Sequence, residues 1–144
     1  SGGLRQMSDE MAAATFCLVP AGDTCVTSRL YTAIAAGCIP VVICDPLRGA
    51  FPDHADYDRF WVKVTEKEFV EQPLAILSRL RALSPGDVLA RQRALELHRA
   101  DVLYDEPHSR VGSNFLEALA SRCGLTSRLA LGARSCRPLP TPAA

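Results

Sequence analysis

Residues 15–45 read TFCLVPAGDTCVTSRLYTAIAAGCIPVVICD. An apolar run from Phe16 to Val19 leads into a turn at Gly22, Asp23 and Thr24. A helical segment follows from about Val26 to Ala36 and is closed by Gly37, and a second run, Ile39 to Cys44, has almost no polar residue. Strands this uniformly apolar belong where both faces of a parallel sheet are covered, and a helical crossover of this length joins parallel neighbours. Leu30, Ala33, Ile34 and Gly37 recur at i, i+3, i+4 and i+7, one face fit to pack closely on the sheet. The stretch therefore predicts an α/β fold, a Rossmann-like parallel sheet flanked by helices, with Gly22 and Asp45 at the same sheet edge. Ligands bind at that edge in open α/β sheets.

Working outward, residues 7–14 favour a short helix capped by Ser8. Residues 46–59, PLRGAFPDHADYDR, form a long, charged connection of the kind that serves as a functional loop or lid. Phe60 to Val64 is expected to be a third, peripheral strand. Thr65 with Glu68 forms a capping box, and Pro73 opens a continuation whose Leu74, Leu77, Leu80 and Leu83 make an amphipathic face. Ser84, Pro85 and Asp87 repeat the start signals for a helix reaching about Leu103, with Val88, Leu89, Leu95 and Val102 on its apolar side. A last helix is expected over 113–122. One domain spans 1–132, and 133–144, rich in Pro and Ala, is expected to be a disordered tail.

At 144 residues and 48% hydrophobic content the chain is of ordinary globular composition, large enough to bury a core without staples. Lys plus Arg and Asp plus Glu balance at 16 each, so no global field recruits nucleic acid or an anionic membrane, and any anion site is local. No run approaches the roughly 18 apolar residues of a membrane span. The N-terminus, SGGLRQMSDE, has neither an initiator Met nor a secretory h-region, which reads as an internal or C-terminal part of a longer protein. Six cysteines show no CxxC pair and no histidine at ligand spacing, so no metal site is expected. Cys17, Cys38 and Cys44 lie in or beside apolar runs and read first as small hydrophobes. The other reading is disulfides, whose pairing the sequence leaves open.

The helix that follows Thr24 offers backbone amides and a positive dipole end, and Arg29 can add a bidentate fork, together a pocket suited to a diphosphate. The plainer alternative is that Thr24 or Thr27 caps the helix and Arg29 is a solvated charge. Neither GxGxxG nor a P-loop is present. Asp45 either meets ligand or caps the turn at Pro46. His54, between acids in the loop, is a candidate general base or a solvated side chain. His98 and His108 read as surface residues, and Trp61 as a cover for the sheet edge.

With the loop FPDHADYDRFWVKV, these residues resemble the exostosin family of glycosyltransferases, whose signature has an FCL-P-GDT turn, a Ser and Arg helix start and a GC-I/V-PV strand. The resemblance covers residues 8–105. It implies the C-terminal, donor-binding half of a two-domain GT-B glycosyltransferase that transfers a sugar, with inversion, from a nucleotide sugar, of UDP type, to a glycan acceptor. On the family pattern Gly22, Asp23 and Thr24 shape the turn beside the donor, and Ser28 and Arg29 hold the diphosphate. Thr32 stands where family members commonly carry an acid for the ribose hydroxyls. Arg48, Gly49 and Ala50 precede Phe51 and Pro52 where many members have an acid. No DxD motif is present and no cofactor is implied. The family also implies a Golgi membrane parent with this part lumenal, and an N-terminal domain that carries acceptor contacts and the catalytic base. The alternatives are a non-catalytic exostosin-like interaction subunit with weakened donor binding and, from outside the family, a flavodoxin-like module.

Overall fold

The structure, a computed structural model, describes residues 9–123. Ser8 and the tail 133–144, with the domain boundary expected at 132, lie outside the described residues. Residues 9–13 are helical. The elements that follow are β1 (Phe16–Pro20), α1 (Ser28–Ala35), β2 (Ile39–Ile43), a 3-10 turn (Tyr57–Arg59), β3 (Val62–Val64), α2 (Glu66–Glu71), α3 (Pro73–Arg81), α4 (Pro85–Val102) and α5 (Val111–Cys123).

The three strands lie in the order β1-β2-β3 and all pair in parallel, with Phe16 opposite Ile39 and Val41 opposite Val62. All five residues of β2 are buried, as its unbroken apolar run requires of a central strand covered on both faces. Its side chains alternate between two cores. Val42, with Cys17 and Val19 of β1, joins Leu30, Ala33 and Ile34 of α1 and Ala94, Leu95 and Val102 of α4. Val41 and Ile43 face the other way, with Val64, Ile76 and Leu80.

The crossover ends as its sequence indicates. Gly37 has φ +73°, its N–H donates to Ile34 O (3.1 Å), and the Cys38 N–H donates to Ala33 O (3.0 Å). These are the paired bonds of a Schellman closure, in which glycine adopts the left-handed conformation without a Cβ penalty. Caps at Thr65 and Ser84 form as expected, accepting from Glu68 N at 3.0 Å and Asp87 N at 3.1 Å.

Several expectations are corrected. α1 begins at Ser28 with Thr27 as its N-cap, so 21–27 is irregular rather than helical from Val26. β3 is shorter than expected because Phe60 and Trp61 donate their N–H groups back to Tyr57 O and belong to the preceding turn. The leucine face of α3 is buried only in part: Leu80 is in the core and Leu83 packs against it, whereas Leu74 and Leu77 are exposed and Ile76 is buried instead. The chain breaks at Gln72 (φ −138°, ψ 53°), and Pro73 restarts the helix in a phase that buries Ile76 and Leu80 and leaves Leu74 75% exposed. On α4, Leu95 and Val102 are buried but Leu89 is exposed.

The cysteines are also corrected, from thiols to half-cystines. Cys17 pairs with Cys38 and Cys25 with Cys44, each with Cα atoms 5.8 Å apart. The connection 46–59 is packed rather than free. A Cβ at Gly49 would stand 2.0 Å from the Tyr57 ring, the Tyr57 hydroxyl donates to Ala50 O (3.0 Å), and that ring packs on Phe60 and Trp61. Burial, and then its contact with Tyr31, pushes the Tyr57 phenol well above the ordinary tyrosine value, so it serves as a neutral hydrogen-bond donor.

Candidate functional site

The carboxyl ends of β1 and β2 open onto one edge, and the turn 21–27 runs along it into α1. Ala21 N donates to Ile43 O (3.1 Å), extending the ladder by one bond. Beyond that the bonds are local: Gly22 N to Thr24 O (3.1 Å) and the Thr24 hydroxyl to Val26 O (3.1 Å). Gly22, Asp23 and Thr24 are exposed, and a Cβ on Gly22 would meet nothing nearer than Thr24 O at 4.0 Å, so the backbone here is open to close approach.

At the start of α1 the Thr27 hydroxyl accepts from Arg29 N (3.2 Å). Of the two threonines considered for the cap, Thr27 performs it, and one of the amides available to an anion is thereby already engaged. No acid lies in the first turn of α1 to offset the positive end of its dipole. Ser28 and Arg29 are exposed at this end, and the Arg29 guanidinium makes no hydrogen bond or ion pair with the described residues. Thr32, one turn on, donates its hydroxyl hydrogen to Ser28 O (3.0 Å).

A cavity of about 220 Å³ lies beside this helix end, lined by Thr27, Leu30 and Tyr31 on one side and Leu47, Arg48 and Gly49 on the other. Arg48 and Gly49 also border a second cavity, of about 390 Å³, with Asp56, Asp58 and Lys63 on its walls. The segment 47–50 is thus a partition between two hollows. In the sequence Arg48 stands out only as a departure from a family pattern. Its place on the rim follows from the Gly49 and Tyr57 contact, which no periodicity reveals.

Asp45 lies at the same edge with a structural partner. Its carboxylate accepts from Glu66 N (3.2 Å), the first amide of α2, and Lys63 Nζ donates to Asp45 O and Leu47 O (3.2 and 3.0 Å). The carboxylate therefore caps a helix from a distant strand end, rather than the Pro46 turn. Cys25, Cys44 and Glu66 bring donor atoms within 4.8 Å of one another, but the disulfide uses both sulfurs and leaves a lone carboxylate.

The other candidates disperse. His54 meets Glu117 at 3.5 Å on the far side of the loop. His108 is exposed, and Trp61 is buried with its indole N–H on Asp58 (2.7 Å). His98 is not a simple surface residue. Its ring nitrogen meets Asp101 at 3.2 Å, and the same carboxylate accepts from Arg110 Nε (2.6 Å) and Asn114 Nδ2 (3.5 Å). Burial alone would raise the Asp101 value, but these hydrogen bonds outweigh it and hold the carboxyl below the ordinary aspartate range. This cluster ties α4 to α5 and lies away from the sheet edge.

Comparison with known proteins adds the family. The Exostosin GT47 domain model matches residues 2–80. Probable arabinosyltransferase ARAD1 of Arabidopsis thaliana is 33% identical over 107 residues, 74% of this chain and 24% of that protein. Probable beta-1,4-xylosyltransferase IRX10 of the same plant is 33% identical over 87 residues, 60% of this chain and 20% of that protein. Exostosin-like 1 of Homo sapiens is 32% identical over 88 residues, 61% of this chain and 12% of that protein. The chain spans a quarter or less of the length of these relatives. With the family model matching more than half of its residues and one relative a third identical across about three quarters of it, the chain belongs to the exostosin GT47 family.

Proposed function

We propose that this chain is the donor-binding half of a GT-B glycosyltransferase that moves a sugar from a nucleotide diphosphate sugar, of UDP type, to a glycan acceptor with inversion. The observation that carries the reading is the placement of Arg29. It is a guanidinium unengaged by the described residues at the positive end of α1, on the edge of a parallel sheet where ligands bind in open α/β folds, in a family whose relatives are named as glycosyltransferases. Its fork would take two phosphate oxygens, with the Ser28 hydroxyl beside it, while the exposed turn at Gly22, Asp23 and Thr24 borders the donor. Thr32 and Asp45 belong to the rim of the same site.

Inverting transfer needs donor, acceptor and base within near-attack distance. In this reading the acceptor contacts and the base come from an N-terminal domain in the part of the protein outside this chain, so the chain alone does not turn over. The lumen of the Golgi is the proposed location. The disulfides among the described residues suit an oxidising compartment. Among the described residues no helix is long and apolar enough to cross a membrane.

One observation favours a second reading. The Thr32 hydroxyl is engaged with its own helix where the family pattern has an acid, which fits an interaction subunit with weakened donor binding. Titration of the full-length protein with uridine diphosphate separates the two. Under the first reading Arg29→Ala weakens binding by about 1.5–3 kcal/mol, the scale of charge-assisted hydrogen bonds, and Arg29→Lys recovers only part. Equal affinity of wild type and Arg29→Ala removes Arg29 from the site.

A further inference from the structure

The turn 21–27 has no helix or strand of its own. From Gly22 to Thr27 its hydrogen bonds stay within the turn and the helix it feeds. Gly22, Asp23, Thr24 and Val26 are exposed, and only Cys25 and Thr27 are half-buried, so burial holds little of it. Past the bond from Ala21 N to Ile43 O, the described residues show one connection from it to the sheet: the disulfide from half-buried Cys25 to Cys44, which is 1% exposed and follows β2 directly. Cys17–Cys38 is differently placed. It joins β1 to the residue before β2, where the ladder already pairs every residue from Phe16 with Ile39 to Pro20 with Ile43.

We propose that Cys25 and Cys44 are a positioning pair for the nucleotide-diphosphate site, their disulfide holding the turn of Gly22, Asp23 and Thr24, and through it the start of α1, against the end of β2. The proposal rests on the donor-site reading above. A segment without ladder bonds samples many backbone conformations, and each must be given up when ligand binds. A tether that removes them beforehand raises affinity without touching the ligand. Cys25 stands three residues before Ser28, and Cys44 is bonded to Asp45, so the tether joins the two strand-end segments that border the site.

The experiment compares full-length wild type with Cys25→Ser/Cys44→Ser, following amide hydrogen exchange over 21–29 without ligand and uridine diphosphate affinity by calorimetry. The expected result is faster exchange confined to that segment and affinity at least tenfold weaker, with the remaining exchange pattern unchanged. Unchanged exchange over 21–29 overturns the proposal, and so does faster exchange with affinity within twofold of wild type. Wild type that does not bind uridine diphosphate sinks the donor-site reading instead, and the exchange result still shows whether the pair orders the turn. Cys25→Ala, which leaves the buried Cys44 in place, is read in the same way if the double variant does not fold. Global unfolding of both makes the pair a staple of the whole fold and overturns its assignment to the site.

Discussion

The two edges of the sheet are fastened in different ways. At the amino-terminal edge Cys17–Cys38 lies in the main core, between strands that the ladder already holds in register, with Cys17 6% and Cys38 0% exposed. At the carboxyl edge Cys25–Cys44 reaches out of the same core to a turn with no ladder bond past Ala21. The loops they close are nearly equal, with sequence separations of 21 and 19, so their entropic effect on the unfolded chain is nearly the same. The difference lies in the native state: one bond adds to order that exists already, and the other supplies order that would otherwise be missing. If the proposed pair acts as argued, stability and the geometry of the proposed site are separable in this fold.

The largest effect that tests this separation is on the first bond. Cys17→Ala/Cys38→Ala is expected to lower the unfolding free energy by about 3 kcal/mol, the scale for a disulfide closing a loop of this length. Amide exchange over 21–29 below the unfolding transition should be unchanged. Denaturant titration with exchange mass spectrometry reads both quantities. Loss of protection in the carboxyl-edge turn would show that the two edges are one cooperative unit and would end the comparison.

A third fastening, α4 to α5, sharpens it, because it is polar and belongs to neither edge. Besides accepting from Arg110, His98 and Asn114 through its carboxylate, Asp101 receives the Asn114 amide at its backbone carbonyl (3.1 Å), and Arg110 N donates to Ala100 O (2.6 Å). Those hydrogen bonds place the folded-state value of Asp101 below the unfolded one, so its contribution is present above the ordinary aspartate value of about 3.9. The contribution is lost as pH falls from there through the folded value. Asp101→Asn is expected to cost about 1 kcal/mol near pH 7 and to flatten the loss of stability below pH ~4. A denaturation series between about pH 2.5 and 7 checks this, and an unchanged acid slope in the variant would remove Asp101 as its source.

How much of this was legible in the sequence follows from the range of each interaction. The crossover was readable because every signal in it is local: two apolar runs, one helical stripe and Gly37 at the point that demands a positive φ. Leu30, Ala33 and Ile34 are buried as their spacing indicates. The half-cystines were not readable, because a thiol and a half-cystine have the same apolar neighbours and differ only in what lies across the fold. The buried side of α3 was readable only in part, because Leu74, Leu77 and Ile76 are all apolar and only the packing against Val41, Ile43 and Val64 selects Ile76 with Leu80. The hidden partners of Asp45 and Asp101 are a matter of distance, since Glu66 is 21 residues from the first and Asn114 is 13 from the second. At the proposed site, the family motif pointed to the turn and Arg29, but not to the seven irregular residues before α1 or the wall made by Arg48 and Gly49.

The smallest expected effect is at Thr32, and it tests the carboxyl edge from the side of the ligand. Its hydroxyl hydrogen is committed to Ser28 O, four residues back in the same helix, a bond that contributes little to a helix and competes weakly with its ladder. Thr32→Ala removes that bond and restores helix propensity, so the two changes nearly cancel. Stability should move by no more than about 0.5 kcal/mol. Uridine diphosphate affinity should change by less than about threefold, under 0.7 kcal/mol, because the hydroxyl has no free hydrogen to offer. Thr32→Glu does something different. In the second turn of α1 its carboxylate reaches the place where the family pattern has an acid, and there it can accept from ribose hydroxyls. The expected gain for uridine diphosphate is about 1 kcal/mol, the net worth of one added hydrogen bond. Calorimetry on the two variants separates the cases. A large loss in Thr32→Ala would mean that the hydroxyl leaves Ser28 for the ligand. Weaker binding in Thr32→Glu would mean that diphosphate or ribose lies elsewhere along this edge, with Arg29 serving a site of another shape.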